Sequence, residues 1–175
     1  MNEIQLVEGN LTFTFVDFLI AEKFDENSKN AAGMYPVDFL AESNAHLYLI
    51  EVKDFQNPKA TEKQRKEDYQ MLTGKDEHGY SIFAIKMGGK IKDSLLRKFA
   101  LGYKYTKAVK YLLFVNLDGL GEHEWGRLKE KIRGHIPTGL NDDRFCEFTD
   151  ISFELVYAAE QFKPHGIICT ANDAV

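Results

Sequence analysis

The chain has 175 residues, 44% of them hydrophobic and 28% charged, and a net charge of −5. That balance is typical of a globular domain with a real core and argues against a general nucleic-acid coat protein. No apolar run approaches the roughly 20 residues that span a bilayer, no basic stretch opens the chain, and two cysteines, Cys146 and Cys169, are too few for a disulfide framework. A single cytoplasmic domain with no membrane partner is expected.

In chain order, Leu11, Phe13 and Phe15 alternate with Thr12 and Thr14, which predicts a half-buried strand that blurs onward towards Lys23. The polar stretch 25–33 reads as a loop, and a second strand is expected around Tyr35–Ala41. The segment ESNAH reads as a short hairpin connection into a third strand over Leu47–Asp54. Three strands joined by short connections suggest an antiparallel meander.

A polar helix capped by Thr61 follows, with Tyr69 and Leu72 on one side, and then a longer helical region over Tyr80–Tyr105. Leu95, Leu96, Phe99 and Tyr103 give that region an apolar stripe, and Gly88-Gly89 divides it into what read as two pieces. The apolar run VKYLLFVNL predicts a strand buried on both faces, HEWGRLKEKIRGHI a helix, and Ile151–Tyr157 a late strand. The order βββ–α–α–β–α–β describes an α/β protein with a central mixed sheet flanked by helices.

Charge is distributed unevenly. Residues 1–58 hold ten acids against three basic residues, whereas 86–110 hold eight basic residues against Asp93 alone. Lys86, Lys90, Lys92, Arg97 and Lys98 could form a positive footprint for phosphates, or a solvated helix face.

The third strand ends in Glu51-Val52-Lys53, and strand alternation points Glu51 and Lys53 to one face and Val52 to the other. Asp38 lies 13 residues upstream inside an apolar run. If the two strands pair, two carboxylates approach each other and need a cation, and oxygen donors with incomplete protein coordination suit Mg²⁺ or Mn²⁺. The Val52 carbonyl is a natural further ligand, and a neighbouring lysine can orient a water or neutralise a phosphorane-like transition state. Without the metal the acids repel, so Asp38→Ala is expected to raise the melting temperature.

Asp38 followed by Glu51-Val52-Lys53 at the end of an apolar strand resembles the PD-(D/E)xK nuclease superfamily, the restriction-endonuclease-like fold, with Pro36-Val37-Asp38 as a loosened Pro-Asp. The resemblance covers roughly residues 10–117. It implies metal ligation by Asp38 and Glu51, a water-activating role for Lys53, DNA as a partner and a homodimer as an option. The family's additional upstream acid corresponds to Glu22 or Asp25 in preference to Asp17. A catalytically inactive relative that binds a protein, such as an immunity or regulatory module, is the alternative.

Other signals are incomplete. His123-Glu124 lacks the second histidine of HExxH, with Arg127 in its place, and Gly89-Lys90 lacks a P-loop's first glycine, with Ala84 there instead. Neither cysteine has a sequence neighbour suited to act as a base.

Overall fold

The computed structural model describes residues 2–25, 33–79, 81–140 and 149–172. Cys146, Tyr80 and most of the 25–33 loop therefore lie outside the described residues. The elements run β1 (Glu3–Glu8), β2 (Leu11–Val16), β3 (Ile20–Lys23), β4 (Phe39–Glu42), β5 (His46–Asp54), α1 (Glu62–Thr73), α2 (Ile82–Ala100), β6 (Ala108–Asn116), α3 (Glu122–Arg133) and β7 (Ile151–Val156). A short 3-10 helix (Ala159–His165) and β8 (Ile167–Ala171) follow.

The central sheet has the order β3-β4-β5-β6-β7 and is mixed: β3, β4 and β5 are antiparallel neighbours, while β5, β6 and β7 run parallel. β6 alternates its side chains between two cores. Val109, Tyr111, Leu113 and Val115 join α2 and α3 on one face; Leu112 and Phe114 join a second sheet on the other. This double burial explains the almost continuous apolar run.

The second sheet, β1-β2-β8, is antiparallel and covers the face opposite the helices. Its core is aromatic: Phe13 meets Phe39 edge-to-face at 5.1 Å and Phe162 at 5.6 Å. The layers are thus helices, central sheet, and second sheet.

Four expectations are corrected. The strand starting at Leu11 does not run on to Lys23; Asp17 adopts φ 59°, a left-handed conformation that ends β2 and lets the chain pass to the other sheet. The meander is therefore β3-β4-β5, with β2 elsewhere. The second strand begins at Phe39 instead of Tyr35, because the backbone N–H groups of Tyr35 and Val37 bond to Asp93 and Ser94 of α2. Finally, α2 is one helix through Gly88-Gly89, since Gly88 packs on His135, where a Cβ would collide with backbone 2.8 Å away.

β1 and β8 went unforeseen. β1 carried a signal: Gly9-Asn10 between QLVE and LTFTF is a two-residue hairpin turn, and Gly9 takes φ 57°.

Candidate functional site

Asp38, Glu51 and Lys53 lie at one end of the central sheet, where β5 finishes its parallel run and antiparallel β4 begins. Ligand crevices form at the carboxyl ends of parallel strands because the chain leaves the sheet there. Phe39 pairs with Ile50, so one further step of the same register sets Asp38 opposite Glu51. Asp38 is held there by its surroundings. Its carbonyl accepts from Phe24 N–H at 2.7 Å, and its Oδ2 accepts from Val52 N–H at 2.6 Å.

Glu51 is fully buried on the helix-facing side of β5, and Lys53 lies on the same face. The Lys53 ammonium is 2.6 Å from Glu51 Oε1. Lys90, reaching down from α2, is 2.8 Å from the same oxygen and 3.5 Å from Asp38 Oδ1. Glu51 Oε2 has no hydrogen-bond partner among the described residues. Leaving a carboxylate oxygen buried and unsatisfied is costly.

Burial, and then the charge of Asp38, raises the Glu51 pKa to about 7. For Lys90, burial works to lower the pKa, but the charges of Glu51 and Asp38 outweigh it and hold the ammonium above its ordinary value. Tyr111, wholly buried, has its phenol pKa driven well up by burial and then by Glu51 and Asp38; its hydroxyl donates to the Met87 carbonyl.

The two proposed upstream acids differ in placement. Glu22 pairs with Leu40, two positions along β3 from the level of Asp38. Asp25 lies just past β3, and its pKa is raised by burial and then by Asp38, with Lys90 pulling it back. Asp25 is the one within electrostatic reach of the site. Glu8 also belongs to this neighbourhood: burial raises its pKa, Lys23 at 3.1 Å opposes the shift, and Asp38 and Asp25 add to it. Sequence reasoning missed Glu8 because it missed the β1–β2 hairpin that carries it.

The five basic residues singled out do not make one footprint. Lys90 is in the site itself and Lys86 lies beside it, one helical turn earlier. Arg97 is buried, donating to the Phe24 carbonyl and lying 4.2 Å from the centre of the Phe24 ring. Lys98 sits over Tyr103, 4.8 Å from the ring centre. Lys92 lies on a different flank, among Leu95, Leu96 and Phe99. Of the remaining basic residues, Lys107 is bound to Glu42 at 2.6 Å and Lys110 lies near the Tyr48 ring.

Lys53 separates two openings. One, of about 200 Å³, is lined by Glu8, Asp54 and Asp68 among others and is acidic. The other, of about 460 Å³, lies between α1 and α2, with Lys53, Lys86 and Lys90 around Tyr35, Met71 and Met87.

The donor set can be tested against a divalent cation. Among the described residues no three His, Cys, Asp or Glu side chains converge as a metal cage. Asp38 and Glu51 nonetheless stand opposite each other across β4 and β5, with Lys90 bridging Asp38 Oδ1 and Glu51 Oε1. The Val52 carbonyl points to the same strand edge as its N–H, past the end of β4. Three oxygens with the remainder left to water and substrate suit Mg²⁺ or Mn²⁺, which retain several waters when bound. The residues fit on the condition that Lys90 yields its position between the carboxylates.

Cys169 is no nucleophile: it is buried in the second sheet, and burial first of all pushes its thiol pKa up to about 12. Trp125 is buried and stacked on Tyr157 at 4.9 Å, a packing role. No helix among the described residues is long and apolar enough to cross a membrane. Comparison with protein-family models, curated proteins and solved structures finds no match.

Proposed function

We propose that the chain is a divalent-metal-dependent, nuclease-like protein of the restriction-endonuclease-like kind, hydrolysing phosphodiester bonds in DNA. The observation that carries this reading is the convergence of Asp38, Glu51 and Lys53 at one sheet end, with Glu51 Oε2 buried and without a hydrogen-bond partner among the described residues. A mixed central sheet with helices on the face that bears these residues agrees with it.

Asp38 and Glu51 would hold the cation, helped by the Val52 carbonyl. Such a cation supplies Lewis-acid polarisation of the scissile phosphate and a lowered pKa for an attacking water. Lys53, at 2.6 Å from Glu51, is placed to orient that water and to meet charge developing on the phosphorus oxygens. Lys90, if displaced from the carboxylates by the cation, would offer a second ammonium to the phosphate. Tyr111 and the sheet beneath keep the floor of the site dry.

A second reading has its own observation. Lys90 already lies within 3.5 Å of both carboxylates and neutralises them without a metal, as an inactive scaffold that binds a protein partner would allow. The test is incubation with single- and double-stranded DNA and with RNA, in Mg²⁺ or Mn²⁺. The nuclease reading expects cleavage that EDTA abolishes and that Lys53→Ala lowers by about 100-fold or more. Inertness of wild type on every substrate with either metal sinks it, and leaves a protein complex indifferent to Lys53→Ala as the expected finding.

A further inference from the structure

The larger opening beside Lys53 has a composition that the hydrolytic site alone does not require. Its volume, about 460 Å³, is in the range that holds a small-molecule-sized group. Met71 from α1 and Met87 from α2 give it an apolar floor, and thioether side chains adapt to flat aromatic surfaces. Tyr35 stands at the rim, 70% exposed, on a segment pinned to α2 by the bond from its own N–H to Asp93 at 2.9 Å and from Val37 N–H to Ser94 at 2.9 Å. An exposed aromatic ring on an anchored backbone is a stacking surface that is already ordered.

Lys86 offers an ammonium to a phosphodiester at the edge of the cavity, beside Asp93, whose carboxylate already accepts the Tyr35 N–H; Lys53 and Lys90 also border it but are engaged by Glu51 and Asp38. Gly89 forms part of the wall, and a Cβ there would meet nothing within 4 Å, so the cavity is open along that stretch of α2. The acidic opening on the other side of Lys53, with Glu8, Asp54 and Asp68, repels a phosphate chain. A nucleic acid approaching Lys53 is therefore directed to the methionine-floored side.

We infer that the substrate enters as a single strand, with one unpaired base seated against Tyr35, Met71 and Met87 and a flanking phosphate on Lys86. The bases of a duplex are paired and stacked inside the helix and do not reach a side pocket unless extruded, at a cost of a few kcal/mol. An unpaired base carries no such cost, and stacking on an aromatic ring is tolerant of sequence. This inference rests on the nuclease reading for the identity of the ligand, but its test does not depend on cleavage.

Binding of labelled single-stranded oligonucleotides, and of the same sequence as a blunt duplex, is measured by fluorescence anisotropy in EDTA. Single strands are expected to bind at least tenfold more tightly than the duplex. Tyr35→Ala should weaken single-strand binding by roughly 5- to 100-fold, the loss of one base–aromatic stack. Gly89→Phe, whose Cβ would meet nothing within 4 Å, should weaken it comparably while the melting temperature holds. Equal affinity for duplex and single strand, or wild-type affinity in both variants, overturns the inference even if Mg²⁺-dependent cleavage is found. Tight, Tyr35-dependent single-strand binding without cleavage under any metal leaves the pocket standing and removes the nuclease reading. Absence of binding to either form overturns the inference, while the nuclease reading is judged separately by cleavage in Mg²⁺ or Mn²⁺.

Discussion

Asp38 does two jobs that pull in opposite directions. Facing Glu51, it adds repulsion; bonded to the buried Val52 N–H at 2.6 Å and close to Lys90, it satisfies groups that would otherwise be orphaned. Repulsion alone led to the expectation that Asp38→Ala would raise the melting temperature. The geometry reverses that sign: Asp38→Ala should cost about 1–3 kcal/mol in urea unfolding, whereas Asp38→Asn, which still accepts from Val52, should cost less. A more stable alanine variant would show that the Val52 bond contributes little. Glu51 makes a pH prediction. Its carboxyl titrates at about 7 in the fold and at 4.5 in the exposed chain, so the folded form binds the proton more tightly. Its burial therefore carries no ionisation penalty below pH 4.5, and one that grows as pH rises through that window, on the order of 3 kcal/mol when complete. The stability of Glu51→Gln relative to wild type should rise from pH 4.5 to about 7. A difference that stays flat across the window would mean that Glu51 is better solvated than its burial indicates.

At the level of elements, the neighbouring glycines of α2 make a matched pair. Gly88 packs against His135, whose carbonyl oxygen would lie 2.8 Å from an added Cβ, while Gly89 faces open space. Gly88→Ala should therefore destabilise by about 1–3 kcal/mol and loosen α2 from the turn after α3. Gly89→Ala should stabilise by up to roughly 1 kcal/mol, the helix-propensity gain; thermal melts of the two variants moving in the same direction would refute the packing asymmetry. The α1 helix is different in kind. It buries no residue fully and leaves Tyr69 68% exposed, so the expected Tyr69–Leu72 side is only partly packed. Its N-terminus is held by the Thr61–Gln64 capping box, and Met71 and Leu72 near its C-terminus pack on the core. Thr61→Ala should cost about 1 kcal/mol locally, read as faster amide exchange across 62–73 with little change in the global melt.

Across the whole molecule, a cation that binds only the folded form stabilises it, by about 2.7 kcal/mol at a hundred times its dissociation constant. On the nuclease reading, Mg²⁺ or Mn²⁺ should raise the wild-type melting temperature by several degrees and leave Asp38→Asn unmoved; no response in either protein would favour the Lys90-neutralised scaffold. Much of this was legible beforehand. The alternation of Leu47–Asp54 put Glu51 and Lys53 on one face, the apolar run 109–115 announced a strand buried on both sides, and Thr61 marked where α1 starts. Those features are local, because side-chain direction and end capping follow from backbone periodicity within a few residues. Which surface each face meets is not local. β2 pairs with β8 across the length of the chain, Leu11 against Ala171, and neither strand's pattern names its partner. The same holds for the basic residues of α2: their spacing placed them on a helix, but only docking against the sheet decided that Lys90 would reach two carboxylates and Arg97 the Phe24 carbonyl. Partners far apart in sequence are chosen by the packing of whole layers, where many weak contacts are satisfied together, and no short stretch of residues carries that information.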